Sequence, residues 1–113
     1  MTDTCLFCRI AKGEIAAGRV AESDSCIAFR DIAPVAPTHV LVIPRVHVAS
    51  LNDVGDSAIV SDMTMLAMRV AREAGVAETG YRLVINTNGD GGQTAFHLHM
   101  HVLGGRPMRW PPG

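Results

Sequence analysis

Residues 97–103 read His-Leu-His-Met-His-Val-Leu, and no other stretch limits the fold as strongly. Successive side chains of an extended strand point to opposite faces. His97, His99 and His101 are therefore expected on one face, with Leu98, Met100 and Val102 on the other. The apolar face is expected to pack on a helix. Three adjacent buried imidazoles would need many partners, so the histidine face is expected to be open or occupied. Neighbouring imidazoles then stand roughly 6.5–7 Å apart at their Cα atoms, two strand rises.

The rest of the chain supplies that helix and the neighbouring strands. Ile59, Val60, Met63, Leu66, Ala67, Val70 and Ala74 recur at three- and four-residue steps, which predicts one long helix over Asp56–Ala74. Asp56 or Asp53 is placed to cap it, and Gly75 sits where a left-handed C-cap belongs. Met63, Met65 and Met68 are assigned to core or subunit contact rather than to a ligand pocket. A short helix is predicted over Cys5–Lys12, with Thr4 as cap and Gly13 as stop. Strands are predicted at Arg19–Glu22, Cys26–Asp31, His39–Ile43, Tyr81–Thr87 and Phe96–Leu103. Asp31–Pro37 is an irregular loop, because Pro34 and Pro37 remove amide donors and restrict their neighbours. Asn88–Gly92 has the composition of a turn with positive φ. Short links between strands favour antiparallel pairing. The expected class is α+β, a sheet with a helix across one face.

Composition narrows the class of partner. The chain has 113 residues, 48% of them apolar and 19% charged, which suits one globular domain over residues 1–113. Its formal net charge is −1, so no basic excess points to nucleic acid. No segment is long enough to span a membrane, the run Val40–Ile43 ending at Pro44. Met1-Thr2-Asp3-Thr4-Cys5 shows no basic region followed by an apolar stretch, so no secretion signal is expected and the cytoplasm is the expected compartment. Three cysteines argue against a disulfide framework.

A row of imidazoles permits two chemistries. A neutral imidazole nitrogen is a nucleophile near neutral pH, and a neighbour donates hydrogen bonds to phosphoryl oxygens. Together they would form and steady a covalent intermediate. The same spacing also suits zinc, and spacing alone does not choose between them. Gly89-Asp90-Gly91-Gly92-Gln93-Thr94 offers backbone amides, a side-chain amide and a hydroxyl to an anion, although such a turn also makes an ordinary hairpin. Asp31 is placed either to accept two ribose hydroxyls or to close an Asx-type turn. Trp110, the only tryptophan, is expected to dock rather than fray.

At this point the chain resembles a known family. His97–Leu103 is similar to the histidine triad (HIT) signature, and four further segments resemble its Hint branch: Phe29–Pro34, Pro37–Pro44, Asn86–Gln93 and Trp110–Gly113. The likeness runs from Phe7 to Gly113. It implies a HIT-like fold: a five-stranded antiparallel sheet with one long and one short helix, and a homodimer whose sheets join into ten strands. It implies binding of purine nucleoside monophosphates and hydrolysis of phosphoramidates such as AMP-lysine, or of mixed anhydrides such as aminoacyl adenylates. By resemblance His99 is the nucleophile. His101 and Thr94 hold phosphate oxygens, with Asn86, Gly92 and Gln93 beside them. Asp31 binds the ribose, and Phe7, Ile10 and Ile32 line the base pocket. His97 and His39 complete the histidine network, and Trp110 lies near the partner subunit's site. No catalytic metal is required. Thr94 departs from the mammalian Hint pattern, which has serine there. Its stiffer side chain is expected to change rate or preference rather than abolish chemistry.

The resemblance also suggests that Cys5 and Cys8 bind a structural zinc with His47 and His97. The alternative is two ordinary reduced cysteines. Cys26 is read as a core residue. Two other functions stay open: hydrolysis of dinucleoside polyphosphates, and a zinc-stabilised nucleotide-binding or interaction module with little turnover.

Overall fold

The computed structural model describes residues 4–113; Met1, Thr2 and Asp3, used above in reading the N-terminus, lie outside the described residues. Five strands form one antiparallel sheet in the order β1-β2-β3-β5-β4: β1 (Arg19–Glu22), β2 (Cys26–Arg30), β3 (Thr38–Pro44), β4 (Tyr81–Val84) and β5 (Met100–Gly104). The helices are α1 (Leu6–Ala11), α2 (Ser57–Glu73) and a short α3 (Asn88–Gly91). This is the expected α+β architecture, with one helical turn where a plain turn was expected. Asn88 at φ 58° and Gly92 at φ 82° take the left-handed conformations that the turn composition called for.

Helix α2 follows from its sequence. The Asp56 carboxylate accepts the Ala58 amide hydrogen at 2.9 Å and caps the start. Gly75, at φ 78°, follows the end. Met63, Leu66, Ala67, Val70 and Ala71 form its buried stripe. That stripe packs with Ala28, Val40, Val42, Met100 and Val102 on one face of the sheet. Helix α1 serves the opposite face, where Ile10 packs with Ile27, Phe29, Leu41 and Ile43. The two faces thus read out the alternation of β3: Val40 and Val42 toward α2, Leu41 and Ile43 toward α1.

Strand β5 is shorter at its start than expected. It begins at Met100 rather than Phe96, and residues 95–97 form a bend. The cause lies in β3. Pairing runs from Thr38↔Gly104 to Val42↔Met100. The next position on β3 toward Leu98 is Pro44, which has no amide hydrogen to donate. The chain leaves the ladder there, and Leu98 donates instead to the Val48 carbonyl at 2.6 Å. His97 is therefore not the first member of a regular alternating row.

Candidate active site

His101 pairs across β5 with Leu41 and so shares the α1 face of the sheet. His39 is its diagonal neighbour on β3, the ring centroids 5.1 Å apart. The His99 ring centroid lies 5.2 Å from that of His101. These three imidazoles form one cluster. His97 turns away from it, toward the N-terminal cysteines.

Hydrogen bonds fix the protons in this cluster. The Val35 amide donates to His39 Nδ1 at 3.1 Å, so that nitrogen carries a lone pair and Nε2 carries the hydrogen of the neutral ring. His39 Nε2 then donates to His101 Nδ1 at 2.9 Å. His101 in turn keeps its hydrogen on Nε2, pointing out of the relay. Burial, reinforced by the charges that His99 and His39 can carry, lowers the pKa of His101 to about 4. It is a neutral donor at physiological pH.

His99 is set in the opposite sense. Its Nδ1–H donates to the His97 carbonyl at 2.8 Å, and because a carbonyl can only accept, the lone pair of the neutral ring is left on Nε2. No buried side-chain nitrogen or oxygen among the described residues lacks a partner. His99 Nε2 has none, so solvent reaches it, although the residue as a whole is only 7% exposed. A ring with a lone pair on Nε2, His99, thus neighbours a ring with a hydrogen on Nε2, His101, the two functions that nucleophilic attack on phosphorus needs.

Asp31 closes the expected Asx turn with one carboxylate oxygen, and the other faces His39. Oδ1 accepts the Ala33 amide at 2.8 Å in an Asx turn, and Oδ2 stands 3.3 Å from His39 Nε2. Asp31, His39 and His101 are close enough to suggest a metal group. The lone pair such an ion would need at His39 Nε2 is occupied by hydrogen, because the Val35 amide holds the other nitrogen.

The remaining expected residues divide. Thr94 is exposed and Asn86 half-buried, and neither side chain makes a hydrogen bond. Ile32 is 98% exposed, whereas Ile10 is buried in the core. Phe7 stands edge-on to His99, with ring centroids 5.3 Å apart. The expected anion cradle at Gly92 and Gln93 is corrected. Their amides donate to the carbonyls of Gly89 and Asn88. The Gln93 side chain is also fully used, accepting from the Asn88 amide and donating to the carbonyls of Ala49 and Ala95. Gln93 braces the loop rather than offering donors to a ligand. Trp110, expected near the partner subunit's site, is not enclosed by its own chain. It is 81% exposed within the single chain, held by Arg82, whose guanidinium lies 5.8 Å from the ring centroid and donates to the Arg109 carbonyl.

His97 belongs to a second cluster. Its Nε2–H donates to the Pro44 carbonyl at 2.8 Å, so its Nδ1 lone pair faces the Cys5 and Cys8 sulfurs, 3.4 Å from each. His47 Nδ1 lies 3.2 Å from Cys8 Sγ. The four ligand atoms lie within 4.8 Å of one another. With both nitrogens engaged and 1% exposure, the His97 ring does not reach into the His99 cluster, so its expected place in the catalytic row is corrected. The donor set fits zinc: two sulfurs, two imidazoles, and a carbonyl that fixes the tautomer of one of them. Burial, followed by neighbouring Cys5, raises the pKa of the Cys8 thiol. A cation would reverse that shift by binding the thiolate.

Sequence reasoning did not find the Val35 amide, the Pro44 carbonyl or the His97 carbonyl. Each acts through backbone, which carries no residue-type signal.

Comparison with known proteins agrees with this geometry. The HIT domain family profile matches residues 12–108. The purine nucleoside phosphoramidase of Escherichia coli is 44% identical over 110 residues, covering 96% of this chain and 92% of that protein. A HIT family hydrolase from Legionella pneumophila superposes with a TM-score of 0.94 at 52% identity, over 97% of this chain and all of that one. A Zn-bound histidine triad family protein from Mycobacterium smegmatis gives a TM-score of 0.81 at 32% identity, over 94% of this chain and 78% of that one. On the strength of the profile match and these relatives, the chain belongs to the HIT domain family.

Proposed function

We propose that this chain, as one HIT domain over residues 1–113, hydrolyses purine nucleoside 5′-phosphoramidates through a covalent nucleotidyl-histidine. One observation carries the reading: the ring of His99, with a free Nε2 lone pair, adjoins the ring of His101, with its Nε2–H. The similarity to a purine nucleoside phosphoramidase supports the substrate class, and the similarity to HIT family hydrolases supports hydrolysis.

In the first step His99 Nε2 attacks the α-phosphorus. The N–P bond forms as the P–N bond to the leaving amine breaks. Positive charge spreads over the His99 ring, and the Nδ1–H bond to the His97 carbonyl strengthens with it. His101 Nε2–H and the Thr94 hydroxyl hold the phosphoryl oxygens, with Asn86 beside them. His101 is neutral near pH 7, so it gives a hydrogen bond and not a proton. The departing amine takes its proton from solvent. Water then attacks phosphorus, the His99–phosphorus bond breaks, and nucleoside monophosphate leaves. Asp31 Oδ2 accepts from the ribose hydroxyls. Phe7 and exposed Ile32 enclose the base above a floor that includes Ile10.

Zinc in the second cluster would be held by Cys5, Cys8, His47 and His97 and would tie α1 to the sheet, a structural contribution. The Zn-bound relative supports this choice of metal. A homodimer is proposed too: β4 is an edge of the sheet, and Trp110 and Met65 are exposed apolar groups that a second copy would cover. The cytoplasm is the proposed compartment; among the described residues no helix is long and apolar enough to cross a membrane.

The test is AMP release from an AMP-lysine analogue, with mass spectrometry of acid-sensitive adducts. A nucleotidyl group on His99, and loss of turnover by about 10³-fold or more in His99→Ala, are the expected results. Undiminished turnover in that variant defeats the mechanism. Cleavage confined to dinucleoside polyphosphates would replace the substrate class.

A further inference from the structure

His97 joins the two clusters. Its ring is anchored to β3 by the Pro44 carbonyl at 2.8 Å and faces both cysteine sulfurs at 3.4 Å. Its own carbonyl accepts the His99 Nδ1–H at 2.8 Å, the bond that leaves His99 Nε2 open. Phe7 makes a second link. It lies between Cys5 and Cys8 on α1, and its ring centroid is 5.9 Å from that of His97 and 5.3 Å from that of His99, edge-on to both. The segment that carries the nucleophile is also the one outside the ladder, since β5 begins only at Met100. Regular pairing does not hold the His97 peptide; its Leu98 amide end is tied to the Val48 carbonyl at 2.6 Å, and the His97 ring contacts supply the remaining restraint.

We propose that a metal ion held by Cys5, Cys8, His47 and His97 aims the nucleophilic imidazole of His99, acting through the His97 carbonyl and the Phe7 ring, so that metal occupancy tunes chemistry at a phosphorus atom the ion does not touch. Without the ion, the thiol contacts of His97 are weak sulfur hydrogen bonds. With it, they become metal–ligand bonds of fixed length. A displacement of about 1 Å at a reacting atom costs on the order of 10²-fold in rate, so slack in one peptide is enough to matter. His97 and Phe7 are positioning residues in this scheme. The inference rests on His99 being the nucleophile.

The experiment compares full-length protein loaded with one equivalent of zinc, the same protein stripped with a chelator, the stripped protein reloaded, and Cys5→Ser. Three quantities are read: zinc content, the NMR resonance of the His99 Nδ1–H proton, and kcat and KM for an AMP-lysine analogue. Circular dichroism checks that each form is folded. The expected result is a sharp, slowly exchanging Nδ1–H resonance in the loaded protein that broadens or vanishes on stripping and returns on reloading. With it, kcat falls about tenfold or more and recovers, KM changing less than kcat. In Cys5→Ser the stripped behaviour persists in the presence of zinc. An unchanged resonance and kcat in folded, stripped protein overturns the proposal, as does failure to bind zinc. If no form turns over the analogue, the hydrolase reading fails, and the His99 resonance alone decides the coupling.

Discussion

His39 Nε2 donates to His101 Nδ1 at 2.9 Å, and this one bond fixes which nitrogen of the neutral His101 ring carries its hydrogen. His39 is itself fixed by the Val35 amide. The relay therefore begins at a backbone group in the proline-containing loop and ends at the N–H of His101, whose ring adjoins that of His99, the proposed nucleophile.

Replacing His39 with alanine strands His101 Nδ1 and frees the ring to take the other tautomer. The kcat is expected to fall about 10²-fold, below the loss from removing the nucleophile. His39→Gln, which keeps a donor, should recover part of it. Steady-state kinetics on variants matched for thermal stability checks both.

Stability is expected to fall as pH drops. His101 is held neutral in the fold to about pH 4, whereas in the unfolded chain it protonates near pH 6.5. Between those values the unfolded state binds the extra proton, so lowering pH favours unfolding. The stabilisation is whole above about pH 6.5 and is lost progressively toward pH 4, to a total of about 3 kcal/mol for this group. Buried His97, its pKa also lowered by desolvation, adds in the same direction. Denaturant melts at pH 7, 6, 5 and 4 measure the slope, and His101→Gln should flatten it.

Gly104 closes β5 against the residue that follows the end of α2. A Cβ there would lie 2.9 Å from Val76 Cβ, and Val76 is itself buried. Gly104→Ala is expected to destabilise the protein by about 1–3 kcal/mol through overpacking. Adding Val76→Ala should restore much of the loss, which a double-mutant cycle would read.

Trp110 is the only tryptophan, and it is 81% exposed in the single chain. Fluorescence therefore reports directly on whether a second copy covers it. Emission should move to shorter wavelength as concentration rises through the dimerisation range, in step with the mass seen by sedimentation. A monomer at every concentration, or a dimer with unchanged emission, counts against the proposed assembly.

Patterns in the chain alone specified the sheet, the long helix and the face of the sheet on which His101 lies. The 3- and 4-residue recurrence of Met63, Leu66, Ala67 and Val70 specified the buried stripe of α2, and the alternation around Met100, His101 and Val102 specified which residues face α2 and which face the histidine cluster. Such patterns are periodic in the chain, so they survive without knowledge of what packs against them. The direction of the His97 ring came from tertiary contacts. Its alternation with His99 and His101 is perfect on paper, yet Pro44 on a neighbouring strand ends the ladder and its carbonyl captures the ring. The tautomers of His39, His99 and His101 were likewise set by a partner amide, a partner carbonyl and one another. Backbone donors and acceptors are the same at every residue, and only folding brings a particular one within hydrogen-bond reach of a particular ring.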